Sequence, residues 1–152
     1  TGKFVETFPD LVRQIAKNGH EIFNHTDSHP YLTALTDEKI LEELTKMDTA
    51  LQNTTRISSK PYFRAPYGDR NLHVLEVTKK AGYRSVYWTV DALDWREGET
   101  AAVVENRILS NVKPGTIYLM HIGDTITGNI LDKVFTKIEE MGYNIVSLTE
   151  GI

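Results

Sequence analysis

The segment YRSVYWTVDALDW, residues 83–95, indicates the fold because it combines a predicted strand with acidic residues at its end and lies between two predicted helices. Its first eight residues are rich in β-branched and aromatic side chains, which favour a strand. Gly82 ends a predicted helix just before it, and Thr100 begins another soon after it. A strand between two helices is the repeating unit of a parallel α/β sheet.

The same alternation runs through the whole chain. Helices are predicted to begin near Pro9, Thr36, Asn71, Thr100 and Ile126. The second helix has an apolar stripe at helical spacing, which consists of Ile40, Leu44, Met47 and Leu51. The third helix runs through Leu72, Leu75 and Thr78, and the fourth carries Val104 and Ile108. The predicted strands are HEIFN (20–24), PYFR (61–64), YRSVYWTV (83–90), TIYLMH (116–121) and YNIVS (143–147). About five parallel strands with crossover helices are too few to close a (β/α) barrel, so we expect an incomplete barrel or a doubly wound sheet.

Composition narrows the function. The chain has 152 residues, 40% of them hydrophobic and 25% charged, which is typical of one globular domain. A net charge of -4 without a long basic run argues against nucleic acid as a partner. No apolar run approaches the roughly 18 residues of a membrane span. Cysteine is absent, so any metal site must use histidine and carboxylate ligands.

Polar residues cluster after the predicted strands, where α/β barrels carry their chemistry. Four strand ends contribute them: His25 and His29; Arg64, Pro66 and Tyr67; Asp91, Asp94 and Trp95; His121. His25 and His29 are four residues apart, a spacing that lets two imidazoles reach one ion. The same spacing also occurs in polar loops whose histidines only bond to the backbone, and two ligands alone do not make a metal site.

These residues also carry a family resemblance. HTDSH (25–29), RAPYG (64–68), DALDW (91–95) and LMH (119–121) resemble four motifs of the NodB-type polysaccharide deacetylases, carbohydrate esterase family 4, in the family's order. The resemblance runs from about Gly2 to Leu148 and implies a (β/α) barrel-like deacetylase fold, incomplete here, over a single domain of residues 1–152. The family's Asp-Asp motif, with its catalytic base and third metal ligand, is not in this sequence. We therefore expect a truncated domain whose upstream segment supplies that motif.

The resemblance implies metal-dependent hydrolysis of N-acetyl groups on an amino-sugar polymer, either peptidoglycan or a chitin-like oligosaccharide. It makes His25 and His29 ligands of a divalent metal, with zinc expected and cobalt or nickel as alternatives. The polymer is then the partner, and an extracytoplasmic location follows from the family rather than from a signal sequence. The alternative is a carbohydrate-binding domain of the same fold without turnover.

The remaining roles also come from the resemblance. His121 is the general acid, Asp94 stabilises its imidazolium, Tyr67 gives a backbone N–H to the oxyanion, and Arg64 orients the base. The residues expected to line the sugar and acetyl groups are Trp95, Leu119, Pro66 and Asp91. Each has a plainer structural interpretation, most evidently Leu119 as a core residue and Pro66 as part of an ordinary turn. His20 and His73 are expected to be structural.

Overall fold

The computed structural model describes residues 1–152 and divides into two compact units, Thr1–Tyr87 and Trp88–Ile152. In the first unit the helices are α1 (Gly2–Thr7), α2 (Pro9–Lys17), α3 (Asp37–Thr55) and α4 (Leu72–Lys80). Its strands β1 (Tyr62–Phe63) and β2 (Arg84–Ser85) pair in parallel, and α4 crosses between them. Asn24 adds a single parallel bridge to Phe63.

The second unit repeats this parallel arrangement. Strands β3 (Val90–Asp91) and β4 (Tyr118–Leu119) pair in parallel, and helix α5 (Ala101–Leu109) connects them. Helices α6 (Thr125–Glu140) and α7 (Leu148–Gly151) follow. None of the chain's helices is both long and apolar enough to span a bilayer.

Helix periodicity predicted much of the core. The α3 residues Ile40, Leu44, Met47 and Leu51 are all buried, as expected from their spacing. The α5 residues Val104 and Ile108 pack against α6 in the hydrophobic core of the second unit. Asn71 caps α4 through its side chain, which accepts a hydrogen bond from the Val74 N–H.

The buried face of α4 begins at Val74. Val74, Val77 and Thr78 are buried, whereas Leu72, the first residue of the helix, is 81% exposed. Val74 and Val77 belong to a core cluster of the first unit, and Leu72 does not.

Strand extents also differ from prediction. HEIFN forms only the bridge at Asn24, and YRSVYWTV is interrupted, giving β2 in the first unit and β3 in the second. YNIVS forms no strand, and Ile145 and Val146 are 45% and 56% exposed. A strand requires a neighbouring strand to pair with as well as β propensity, and none pairs with these residues in the structure. The α/β class with parallel strands and crossover helices is confirmed, but the five predicted strands are four short strands and one bridge.

Candidate active-site residues in the two units

His25 and His29, the histidine pair, bring their Nε2 atoms together. These two atoms lie 3.2 Å apart, although the chain between them forms a loop rather than a helical turn. Both Thr26 and His29 have φ near +64°, a left-handed conformation that costs a β-branched or bulky residue free energy. The side chains of Asn24 and Thr26 stabilise this loop by accepting the N–H groups of Thr26 and His29, respectively.

A backbone carbonyl fixes the protonation of His25. Its Nδ1 lies 2.7 Å from the Arg64 carbonyl oxygen, so Nδ1 carries the proton and donates it. In the neutral ring, Nε2 then holds the free lone pair, as a metal ligand requires. Burial lowers the pKa of His25 to about 4. The hydrogen bond to the Arg64 carbonyl acts in the opposite direction, and the charges of Arg64 and His29 lower the pKa further. His25 is therefore a neutral imidazole at physiological pH.

The histidine pair fits two positions of a metal site. Two nitrogen ligands about 2.0–2.1 Å from a tetrahedral Zn²⁺ lie about 3.3 Å from each other, close to the 3.2 Å between the two Nε2 atoms. No group of three or more His, Cys, Asp or Glu side chains that would hold a metal occurs in the structure. The pair could therefore hold an ion at two positions, and no further His, Cys, Asp or Glu side chain joins it in a group of three.

The RAPYG segment forms a tight turn beside the pair. Pro66 is buried at its start, and the N–H groups of Gly68 and Asp69 close it by donating to the carbonyls of Ala65 and Pro66. The Tyr67 N–H takes part in neither bond of this turn, and Tyr67 has φ of +57°. Its ring packs edge-on against His29, with the centroids 4.5 Å apart. Arg64 contributes its carbonyl to His25, and its side chain is half-buried.

In the second unit, Asp94 and His121 form the acid pair. His121 Nδ1 lies 2.8 Å from Asp94 Oδ1, and the His121 backbone N–H donates to Oδ2 over 2.7 Å. The Thr127 hydroxyl donates to the same Oδ2. The Asp94 side chain is fully buried, whereas 43% of the His121 side chain is exposed. Burial by itself would raise the pKa of Asp94, but the hydrogen bonds from Thr127 and His121 outweigh it and leave that pKa lowered.

The Asp94 carboxylate fixes the orientation of the His121 ring. It holds Nδ1, while part of the His121 side chain stays exposed to solvent. The Trp95 ring lies 6.4 Å from the His121 ring and is 58% exposed, so it is not a core residue.

The other two predicted residues of this unit have local roles in the structure. Leu119 is buried in β4, which agrees with a core position and leaves an acetyl-lining role as a prediction. Asp91 accepts the Leu93 N–H through its side chain and so shapes the DALDW turn. Its predicted part in sugar binding also stays a prediction.

Sequence reasoning missed the residues that hold these groups in place. The Glu43 carboxylate on α3 accepts the Asp27 and Ser28 N–H groups and the Ser28 hydroxyl, over 2.7–3.0 Å, and so ties the histidine loop to the helix. In the second unit, Thr127 on α6 holds Asp94 in place by donating a hydrogen bond to its carboxylate. Asn24 was visible as the one uncharged polar residue inside the predicted strand HEIFN, whereas Glu43 resembles any other charged helix residue.

Comparisons with known proteins identify the family. The polysaccharide deacetylase family matches residues 1–86. Over 99% of its length the chain is 32% identical to the peptidoglycan-N-acetylmuramic acid deacetylase PdaA of Bacillus subtilis, of which it covers 58%. It is 35% identical, over 80% of its length, to a chitooligosaccharide deacetylase of Azorhizobium caulinodans, of which it again covers 58%. The chain spans about half the length of the curated relatives that it matches.

The fold agrees with a solved structure. A family 4 carbohydrate esterase pseudoenzyme from Bacillus anthracis superposes with a TM-score of 0.92 at 27% identity, over 99% of this chain and 52% of that one. This confirms the deacetylase fold expected from the four motifs. Because the family match covers more than half of the sequence, the chain belongs to the polysaccharide deacetylase family.

Proposed function

We propose that this chain carries the metal-ligand and general-acid residues of a metal-dependent deacetylase that acts on N-acetylated amino-sugar polymers. The observation that carries the proposal is the histidine pair: two Nε2 atoms 3.2 Å apart, with the proton of His25 held on the opposite nitrogen by a carbonyl. A peptidoglycan deacetylase and a chitooligosaccharide deacetylase among its relatives support the substrate class.

In this proposal His25 and His29 hold a divalent ion, with zinc favoured and cobalt or nickel as alternatives, because neutral imidazoles suit all three. The bound ion supplies Lewis-acid polarisation of the amide carbonyl and a more acidic water. The third ligand and the base, an Asp-Asp motif in the family resemblance, are proposed to come from an upstream segment. Arg64 would orient that base.

The chain's own residues would do the rest of the chemistry. The Tyr67 N–H, which the RAPYG turn does not use, would donate to the oxyanion that forms on the acetyl carbonyl. When the C–N bond breaks, the amine would take the proton from Nε2 of His121, while Asp94 stabilises the imidazolium through Nδ1. Trp95, Leu119, Pro66 and Asp91 would contact or shape the site for the substrate. Since the substrate is a cell-wall or extracellular polymer, we also propose an extracytoplasmic location.

Acetate release from N-acetylglucosamine oligomers in the presence of zinc tests this function. The 152-residue chain would be compared with a version extended upstream, each beside its His121→Ala variant. We expect the extended protein to release acetate and His121→Ala to slow it by about 100-fold or more, as loss of a general acid does. Turnover by the 152-residue chain would instead place the base within it and overturn the upstream origin.

A second candidate is a carbohydrate-binding domain without turnover. The structural similarity to the Bacillus anthracis protein favours it, because that protein has this fold as a pseudoenzyme and enzymatic activity was restored in a mutant of it. Oligomer binding without acetate release in both lengths of the chain would support this candidate over the enzyme.

A further inference from the structure

Two exposed tyrosines stand beside the histidine pair. The rings of Tyr31 and Tyr67 stack with their centroids 4.2 Å apart and their planes 16° from parallel. Each residue is 58% exposed. Tyr67 in turn contacts His29, so the rings run from Tyr31 through Tyr67 to the histidine pair without interruption.

The fold holds Tyr31 in place rather than leaving it on a free loop. Leu32, the next residue, is completely buried and anchors the chain in the hydrophobic core of the first unit. The N–H and hydroxyl of Thr33 both donate to the Asp69 carboxylate, over 2.8–2.9 Å. The Asp69 backbone N–H closes the turn that carries Tyr67, so this one residue joins the segments of both tyrosines. Little ordering is then left for a ligand to impose on this aromatic surface, which favours binding.

The chemistry of the exposed ring indicates its ligand. One side of Tyr31 is covered by Tyr67, and the outer side faces solvent. An aromatic face is apolar and carries the negative part of the ring quadrupole. The faces of a β-linked glucosamine ring present C–H groups, which are apolar and slightly positive, and they match that surface in shape and charge.

The position of Tyr31 relative to the histidine pair indicates which sugar of the polymer it would contact. A ring on the outer face of Tyr31 is separated from His29 by two aromatic rings, so it is not the sugar whose acetyl group reaches the histidine pair. We propose that Tyr31 is a stacking platform for a neighbouring sugar of the polymer, and that it makes the protein select oligomers over single sugars. This inference rests on the proposed function, because it takes the substrate class from it.

The test compares affinities of the zinc-supplemented 152-residue chain for N-acetylglucosamine and its tetramer by calorimetry. Tyr31→Ala is expected to weaken tetramer binding by about five- to ten-fold, the size of an aromatic contact, and to leave the monosaccharide unchanged. Tyr31→Phe keeps the flat face and should stay within about two-fold of wild type. Phe8→Ala removes another exposed ring of the same unit, 49% exposed, and should change neither affinity.

Circular dichroism would verify folding, and Tyr31→Leu serves as a second variant, since it keeps apolar bulk without a flat ring. Equal tetramer affinity in wild type, Tyr31→Ala and Tyr31→Leu overturns the inference, as does an equal loss for monosaccharide and tetramer. A wild-type chain that does not bind the tetramer also overturns it. Zinc binding by the histidine pair and acetate release by the extended protein are measured separately, so failure of the platform is distinguishable from failure of the deacetylase proposal.

Discussion

The histidine pair and the acid pair use the same side chain in opposite ways. His25 bonds through Nδ1 to a neutral carbonyl and is half-buried, so its pKa is lowered to about 4. His121 bonds through Nδ1 to a buried carboxylate, and 43% of its side chain is exposed. The group bound at Nδ1 is thus a neutral carbonyl for His25 and a buried carboxylate for His121, which supports the metal-ligand role proposed for the first and the general-acid role proposed for the second. Substitutions at four positions and one change of pH test this contrast.

The largest expected effect is the loss of metal affinity on removal of one of the paired histidines. His25→Ala deletes one of the two Nε2 atoms proposed to bind the metal. Loss of a residue that only orients a ligand costs up to about 100-fold in metal affinity, so we expect affinity for Zn²⁺ or Co²⁺ to fall by more than that. Calorimetry with Zn²⁺ and the absorption of bound Co²⁺ would measure it. His73→Ala is the matched control, because His73 is an exposed partner of Asp37. Equal losses in the two variants would contradict a metal role for the pair.

The acid pair is tested by removing its carboxylate. Asp94→Ala leaves three donors without their acceptor: the His121 backbone N–H, the His121 Nδ1–H and the Thr127 hydroxyl. We expect the second unit to lose about 2–4 kcal/mol of unfolding free energy. Both tryptophans, Trp88 and Trp95, belong to this unit, so their fluorescence during urea denaturation reports it.

Thr127→Val provides the graded comparison for that measurement. It removes one of the three donors while leaving the carboxylate and His121 paired, so a loss of about 1 kcal/mol is expected. If Asp94→Ala costs no more than Thr127→Val, the carboxylate does not organise the acid pair.

The sequence indicated the members of the two pairs better than the residues that support them. His25, His29, Asp94 and His121 lie at or soon after the ends of predicted strands, and the fold brings the members of each pair together. The residues that hold them lie on helices far along the chain: Glu43 is 15 or more residues from the loop that it binds, and Thr127 is 33 from Asp94. Local spacing contains no signal for a contact of that range.

Helices and strands differ in the same way. The α3 stripe followed from its own periodicity, because a helix satisfies its backbone internally. YNIVS has strand composition but depends on a partner that local sequence does not specify, and it forms no strand. The extent of β structure was therefore the least predictable part of the fold.

A change of pH tests whether the folded protein holds the His25 ring neutral. Its pKa is about 4 in the folded protein and about 6.5 when unfolded, so acid protonates the unfolded chain first. The stability contribution of the neutral ring is complete above pH 6.5 and is lost as pH falls toward 4. Metal-free wild type should lose about 2 kcal/mol more than His25→Asn between pH 7.5 and pH 5, by denaturation followed with circular dichroism. Identical losses would mean that the folded protein does not hold this ring neutral.

The last expected effect concerns the support of the histidine pair. The Glu43 carboxylate accepts three hydrogen bonds from the loop that bends through Thr26 and His29 in left-handed conformations. Glu43→Gln keeps the shape but replaces one acceptor oxygen with a donor, so one or more of these bonds is lost. The pair then samples wider separations, and we expect metal affinity to fall by about 10-fold, as for other residues that orient ligands.

Glu42→Gln is the matched control, because Glu42 is the preceding residue of the same helix and pairs only with the exposed Lys39 and Lys46. Both variants should unfold at nearly the same temperature, so a difference in Zn²⁺ affinity separates positioning from general stability. If Glu43→Gln lowers the unfolding temperature and leaves affinity intact, Glu43 stabilises the loop without setting the separation of the two Nε2 atoms. The histidine pair would then owe its geometry to the Arg64 carbonyl and to the Asn24 and Thr26 bonds alone.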